Sequence, residues 1–396
     1  MNKYRRNVHA TLAALAAAVI TVVCCVPEKV VSPVANYAYV GNETSNNISG
    51  YAVDNSTGAL TEVTGSPFSG PSGPRDAVVE LFGKYVYVAN GNASGVYGFS
   101  IDSTSGALAA ISGSPFAGGS GPRGIALHTS GKYIYTANRN DNNVSGYSID
   151  DGSGVLTAVP GSPFAVPSGS ESQPGPQQLT VDPTGRFLYV SDHLTGDISG
   201  FTIDGTTGAL KLISGSPFSD QDGQESFTQP FALVVAPSGK FLYVTNHGSS
   251  TISVFSVDAV SGALAKITGS PFAIPPPSEC SARPFGAALG PGGQFLYVAD
   301  NGCDAISIFS LDAGTGVPTQ ISGSPVFIGA GEFYCSPAPN DNAVDATGRF
   351  LYVANMNCGS VSAFSIDATT GKLTDVAGSP FPAGSGPYGV AISRIN

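Results

Sequence analysis

Apolar residues in this chain follow two periods at once. Within short runs they read as strands, and the runs themselves return at a regular interval. The run 240–246, Lys-Phe-Leu-Tyr-Val-Thr-Asn, recurs at 85–90, 133–138, 187–192, 295–300 and 350–355, with a shorter first copy at 39–42. Its second aromatic marks the repeat as Tyr39, Tyr87, Tyr135, Tyr189, Tyr243, Tyr297 and Tyr352, at intervals of 48, 48, 54, 54, 54 and 55 residues. Both faces of the run are apolar, the pattern of a strand covered on both sides. The copy beginning at Pro230 shows the whole unit. A strand over 230–235 is followed by a Pro-Ser-Gly-Lys turn, the marker run, and an alternating strand at 251–258. A turn at 261–264 then leads into a fourth strand that ends at Gly269, Ser270, Pro271 and Phe272.

Four strands repeated seven times predict an all-β fold, a seven-bladed β-propeller with four-stranded antiparallel blades. No stretch after residue 25 keeps a 3.6-residue period for three turns, so helical readings fail. The first copy lacks an innermost strand, and the missing piece stands at the other end, where 387–393 aligns with 230–236. The C-terminal strand is therefore expected to complete the blade that begins at Tyr37. Proline at the end of each fourth strand suits an outer edge, where a missing N–H costs little and discourages further pairing.

From the proline of each Gly-Ser-Pro to the first proline of the next inner strand, the spacing is 7 residues after copies one, two and seven. After copies three to six it is 13, 13, 13 and 14. The longer loops carry Asp220, Asp222, Glu225, Phe227, Glu279, Glu332, Phe333 and Tyr334, and loops enlarged on one face point to a face that meets something. Cys280 lies four residues before Pro284 and Cys303 six after Tyr297; Cys335 and Cys358 hold the same places around Pro339 and Tyr352. This register predicts the disulfides Cys280–Cys303 and Cys335–Cys358, each closing a loop worth about 3 kcal/mol, and an oxidising compartment. The alternative, a zinc site of four thiolates, lacks the close cysteine pairs such sites use.

The N-terminus stands outside the repeat. Lys3, Arg5 and Arg6 precede an apolar run at 10–23, which is short for a membrane span and fits a secretory signal. Cys24 and Cys25 end that run, where a lipoprotein signal places its acylated cysteine; ordinary cleavage or an uncleaved anchor is the alternative. The expected division is a signal at 1–25, a linker at 26–36 and the propeller at 37–396. The protein is expected in the periplasm, cell envelope or extracellular space, as a monomer. Its 17 Lys plus Arg against 28 Asp plus Glu give a net charge of −11, which opposes nucleic acid as a partner.

The residue after each inner-strand proline is expected near the mouth of the central channel: Arg75, Arg123, Gln177, Phe231, Phe285, Asn340 and Tyr388. Two arginines there could hold an anion through paired hydrogen bonds. The competing reading pairs them with Asp76 or Asp341. His193 and His247 each follow the last residue of a marker run on the same face, either as ligand contacts or as solvated turn residues. The segment 140–143 lacks the spaced oxygens of a calcium loop and reads as a polar turn. No phosphate loop or Gly-x-Ser-x-Gly elbow is present, so no cofactor and no metal are expected.

Tyr243-Val244-Thr245-Asn246, the run Asp-Pro-Thr-Gly-Arg-Phe-Leu-Tyr-Val at 182–190 and the repeated Ser-Ile-Asp…Thr-Gly-x-Leu pattern carry a family likeness. Over about 37–396 the chain resembles the lactonase-type seven-bladed propellers, the group that holds 6-phosphogluconolactonase and the proteins named for Tyr-Val-Thr-Asn repeats. The resemblance implies the propeller fold and a Pro-His-x-His signature entering one inner strand, followed by an Asp-Leu-Gly-like turn. The best match here is Pro174, Gly175, Pro176 and Gln177, leading to Asp192, His193 and Leu194. Both signature histidines are replaced, and the Gln177 amide cannot accept a proton near neutral pH. The expectation is therefore a binding or cell-envelope interaction module without an assigned catalytic residue, meeting a small anionic ligand, a glycan or an envelope protein. A lactonase-like hydrolase with a rearranged site is the alternative.

Overall fold

The computed structural model describes residues 36–167, 173–220, 228–276, 280–329 and 335–393. The expected signal at 1–25 and the expected linker up to Asn36 lie outside these. The described chain forms seven antiparallel sheets arranged as propeller blades. Their innermost strands are Pro74–Val79, Pro122–Leu127, Pro176–Val181, Pro230–Val235, Pro284–Leu289, Pro339–Val344 and Pro387–Ile392. The last of these pairs with Asn36–Asn42, setting Tyr39 opposite Ala391 and Val40 opposite Val390, so the first and last described strands share one blade.

The marker run is the second strand of each blade, and its apolar faces enter the two flanking interfaces. Leu242 and Val244 have no exposed surface, nor do Leu188 and Val190 in the preceding blade. The marker tyrosines do more than fill space. Each hydroxyl donates to a glycine carbonyl in the next blade's outer turn: Tyr39 to Gly106, Tyr87 to Gly154, Tyr135 to Gly208, Tyr189 to Gly262, Tyr243 to Gly316, Tyr297 to Gly371, and Tyr352 back to Gly58. These seven bonds span 2.7 to 3.2 Å and run once around the ring. Sequence spacing alone does not foresee them.

Each blade also carries a two- to five-residue fifth strand that begins at or beside the Phe of Gly-Ser-Pro-Phe, such as Phe68–Ser69, Phe116–Ser120 or Phe272–Ala273. It pairs with the third strand beyond the three-residue fourth one, so the fourth strand ends earlier than its pattern suggests. The serine of the triplet has a fixed duty. Its hydroxyl accepts from a third-strand N–H, as Ser162 does from Gly146 at 3.0 Å and Ser270 from Val254 at 2.9 Å. Both disulfides form as predicted, with Cα–Cα separations of 5.3 Å for Cys280–Cys303 and 5.8 Å for Cys335–Cys358.

Candidate functional site

The first residue of each inner strand pairs with the last residue of its marker strand, as Pro74 with Asn90, Pro122 with Asn138, Pro176 with Asp192 and Pro230 with Asn246. The residue following each partner therefore lies at the same end of the channel. One register supplies Arg75, Arg123, Gln177, Phe231, Phe285, Asn340 and Tyr388; the other supplies Glu43, Gly91, Arg139, His193, His247, Asn301 and Met356.

The two registers interlock. Arg75 forms an ion pair with Glu43 of the first blade and stacks over Tyr388, 4.7 Å from its ring centre. Gly91 makes room for it, since a Cβ there would sit 2.7 Å from the arginine Cδ. Arg139 donates to the Gln177 amide oxygen at 2.7 Å. Across the mouth the surface turns aromatic: the Phe231 and Phe285 rings lie 4.4 Å apart, His193 meets Phe231 at 6.0 Å, and His247 meets Phe285 at 4.7 Å. The Asn340 amide donates to the Tyr388 carbonyl at 3.4 Å.

Charge is unbalanced here. Burial, then the neighbouring Arg75, lowers the pKa of Arg123, and burial does the same for Arg139. The buried Arg123 Nε has no hydrogen-bond partner, and no carboxylate among the described residues forms an ion pair with that guanidinium. Three arginines thus face one another with Glu43 as the paired carboxylate, an arrangement that favours an incoming anion. Beside them burial, followed by the charge of Arg139, pushes the His193 pKa down to about 4. Its Nδ1 lies 3.2 Å from the Pro230 carbonyl oxygen, which assigns the Nδ1–H tautomer and leaves the lone pair on Nε2. Burial also lowers the pKa of His247, whose Nδ1 is buried without a partner.

The pairing of the arginines with Asp76 or Asp341 is not what forms. Those carboxyls stand one residue deeper on the channel wall and take N–H groups instead. Asp76 accepts from Ala77 at 2.8 Å, Ile125 at 3.0 Å and the Gln178 amide at 3.1 Å. Asp341 accepts from Val390 at 3.1 Å. Burial raises both pKa values, and the charge of Asp76 raises that of Asp341 further.

Sequence reasoning missed Glu43 and Arg139, although both occupy the register that drew attention to His193 and His247. The looped-face candidates Asp222, Glu225, Phe227, Glu279, Glu332, Phe333 and Tyr334 lie outside the described residues. Asp220 is described and corrects its assignment to an exposed face. It is fully buried, 3.4 Å from Lys266 Nζ, and burial lifts its pKa to about 6. His128 sits apart, bonded through Nε2 to the Gly185 carbonyl region at 2.8 Å. A concavity of about 460 Å³ opens at the opposite end between Leu289, Ala343 and Ile392. Its acidic residue, Asp345, is already occupied by turn N–H groups of Arg349 and Phe350.

Comparison with known proteins agrees with this architecture. The pattern of the family described as "Lactonase, 7-bladed beta-propeller" matches residues 28–117, 111–281 and 273–387. A 6-phosphogluconolactonase of Pectobacterium carotovorum is 24% identical over 222 residues, which is 56% of this chain and 62% of the relative. One from Formosa agariphila is 28% identical over 144 residues, 36% of this chain and 38% of the relative. The matched part thus spans less than two thirds of either relative. The structure of a periplasmic gluconolactonase from Pseudomonas aeruginosa superposes with a TM-score of 0.73 at 19% identity, covering 91% of this chain and all of that one (100%), a likeness of fold. These matches correct the expectation of an interaction module, since the family and the curated relatives bear the names of hydrolases rather than of binding proteins. With its matches running through nearly all the described strands, the chain belongs to the lactonase family of seven-bladed β-propellers.

Proposed function

We propose that the protein hydrolyses the lactone of an acidic sugar at the arginine-lined channel mouth. The observation that carries this reading is the neutral His193 beside the half-buried Arg123, whose buried Nε has no partner, and its neighbour Arg139. Arg123 and Arg139 hold the anionic group, a phosphate or carboxylate, while Arg75 stays tied to Glu43. His193 Nε2 accepts the proton of the attacking water, the task for which Gln177 is unsuited. The names of the curated relatives support a sugar-acid lactone as substrate. Hydrolysis of 6-phosphogluconolactone and gluconolactone by the purified protein is the test. His193→Ala should lower kcat by about 10²–10⁴-fold. Arg123→Ala should act chiefly on KM, by about 1–3 kcal/mol of binding. Absence of hydrolysis of either lactone overturns the proposal.

Export is part of the same proposal. A signal at 1–25, with cleavage or acylation at Cys24 or Cys25, fits a protein that carries two disulfides. The mass of the mature N-terminus from its native host tests this, and an intact Met1 in the cytosol overturns it.

A further inference from the structure

We infer that Asp341, backed by Asp76, is the proton donor to the leaving oxygen when the lactone ring opens; this rests on the hydrolase reading above. The first support is positional. In the seven inner strands the residue after the mouth register is Asp76, Gly124, Gln178, Ala232, Gly286, Asp341 and Gly389. A carboxyl needed by the blade itself would recur in every copy. Here two of seven carry one, and on the short arc between them the register holds Gly389. A Cβ at Gly389 would come within 2.9 Å of Asp76 Cα, and one at Gly286 within 2.8 Å of Asp341 Cα. The inner strands therefore press together, and the strand Pro387–Ile392 lies between those of the two acids.

The second support is the division of hydrogen bonds. Asp76 accepts three N–H groups, from Ala77, Ile125 and Gln178, a set suited to the ionised form. Asp341 accepts from the backbone N–H of Val390. Neither carboxyl is ion-paired to a described cation. Two partly buried acids on one wall hold a single proton most cheaply, and the better-donated Asp76 leaves it on Asp341.

The third support is access. Asp341 lines a cavity of about 10 Å³ with Arg75, Gln178, Phe231, Asn340 and Tyr388, directly beneath the mouth. The cavity has room for about one water molecule or one substituent oxygen. The Asn340 Oδ1 atom is buried and has no donor, so it stands ready to accept from a hydroxyl placed there. The titratable groups around Asp341 are Asp76 and Arg75 from Pro74–Val79 and Tyr388 from Pro387–Ile392. The strands Pro230–Val235 and Pro284–Leu289 present Phe231, Ala232 and Gly286, which do not titrate.

The step balances without an added reagent. Water oxygen bonds to the lactone carbonyl carbon as its proton passes to His193 Nε2. The ring C–O bond then breaks, its electron pair goes to the leaving oxygen, and that oxygen takes the proton of Asp341. Transfer from His193 to Asp341 through solvent resets the site, and the net change is addition of one water.

The test is the pH dependence of kcat/KM for lactone hydrolysis by the full chain and two isosteric variants. Asp341→Asn should lower the plateau about 10²–10⁴-fold and abolish the alkaline limb. Asp76→Asn removes the charge that keeps Asp341 protonated, so the alkaline limb should move down by about one pH unit or more. An infrared difference spectrum between wild type and Asp341→Asn near pH 6 should show loss of a protonated carboxylic acid C=O band, whatever the activity. Variants that scale the rate equally at all pH values, or that leave the band in place, overturn the assignment. Absence of lactone hydrolysis by wild type, with the band lost on substitution, would instead overturn the hydrolase reading and leave the proton on Asp341.

Discussion

Replacing a marker tyrosine by phenylalanine removes one oxygen and leaves the ring in place. At Tyr87 the hydroxyl lies 2.7 Å from the Gly154 carbonyl oxygen, and the side chain has no exposed surface. Burial holds its pKa well above the usual tyrosine value, so the neutral donor is present across the working pH range. The substitution costs the net hydrogen bond and leaves the carbonyl unsatisfied between two blades, together about 1–3 kcal/mol. For a chain of this length the unfolding entropy translates that into a fall in Tm of about 1–4 °C. The longer bonds of Tyr243 at 3.1 Å and Tyr297 at 3.2 Å place those positions at the lower end. Tyr85→Phe is the control, because its hydroxyl stands 3.5 Å from the Asp151 carbonyl oxygen near the surface and should cost less than about 0.5 kcal/mol. Urea unfolding followed by tyrosine fluorescence and circular dichroism is the assay, with an unchanged slope expected for each variant. If Tyr87→Phe and Tyr352→Phe unfold at the same midpoint as Tyr85→Phe, the inter-blade hydroxyls contribute nothing and the reasoning fails.

Ending the chain at Gly386 removes Pro387–Ile392 and leaves Asn36–Asn42 with one neighbour instead of two; the variant should aggregate or lose cooperative unfolding, and unchanged melting by calorimetry would refute the closure. Replacing Cys280 and Cys303 together by alanine should cost about 3 kcal/mol, read as a lower urea midpoint, and a reductant, which opens both disulfides, should lower the wild-type midpoint further. The kcat/KM profile should fall as pH drops through about 4, where His193 Nε2 gains a proton and ceases to be a base. A limb near the ordinary histidine value would move the base elsewhere.

The blade plan was legible because its causes are local and repeated. Two-sided apolar runs, turn residues at fixed offsets and the cysteine register each recur, and a mismatch of copies at the two ends exposes the closing strand. The fifth strand was not legible: with as few as two residues, as at Phe68–Ser69, it has no period to detect. At the mouth, the same two registers vary freely from blade to blade, so their residues name the positions but not the partners. Arg75 turns to Glu43 rather than to the adjacent Asp76, because the preceding blade brings that glutamate to the same end of the channel. Asp76 in turn reaches Gln178, 102 positions away, two blades on. Asp220 reads as one of the residues carried by the longer loops, yet its N–H pairs with the Gly196 carbonyl and its side chain is buried beside Lys266.

The pairing of the first described strand with the last has a consequence for how the protein is made. Tyr39 must wait for Ala391, so about 350 residues are synthesised before the first blade acquires its inner strand. At about 5–20 residues per second that interval is about 20–70 s. Throughout it the emerging chain presents an unpaired strand edge to every other nascent or folded molecule nearby. The first blade is complete only once residues 387–392 have emerged and paired with 36–42. This order suits a route in which a holding chaperone, or passage across a membrane in unfolded form, delays the ring until both ends are free to meet.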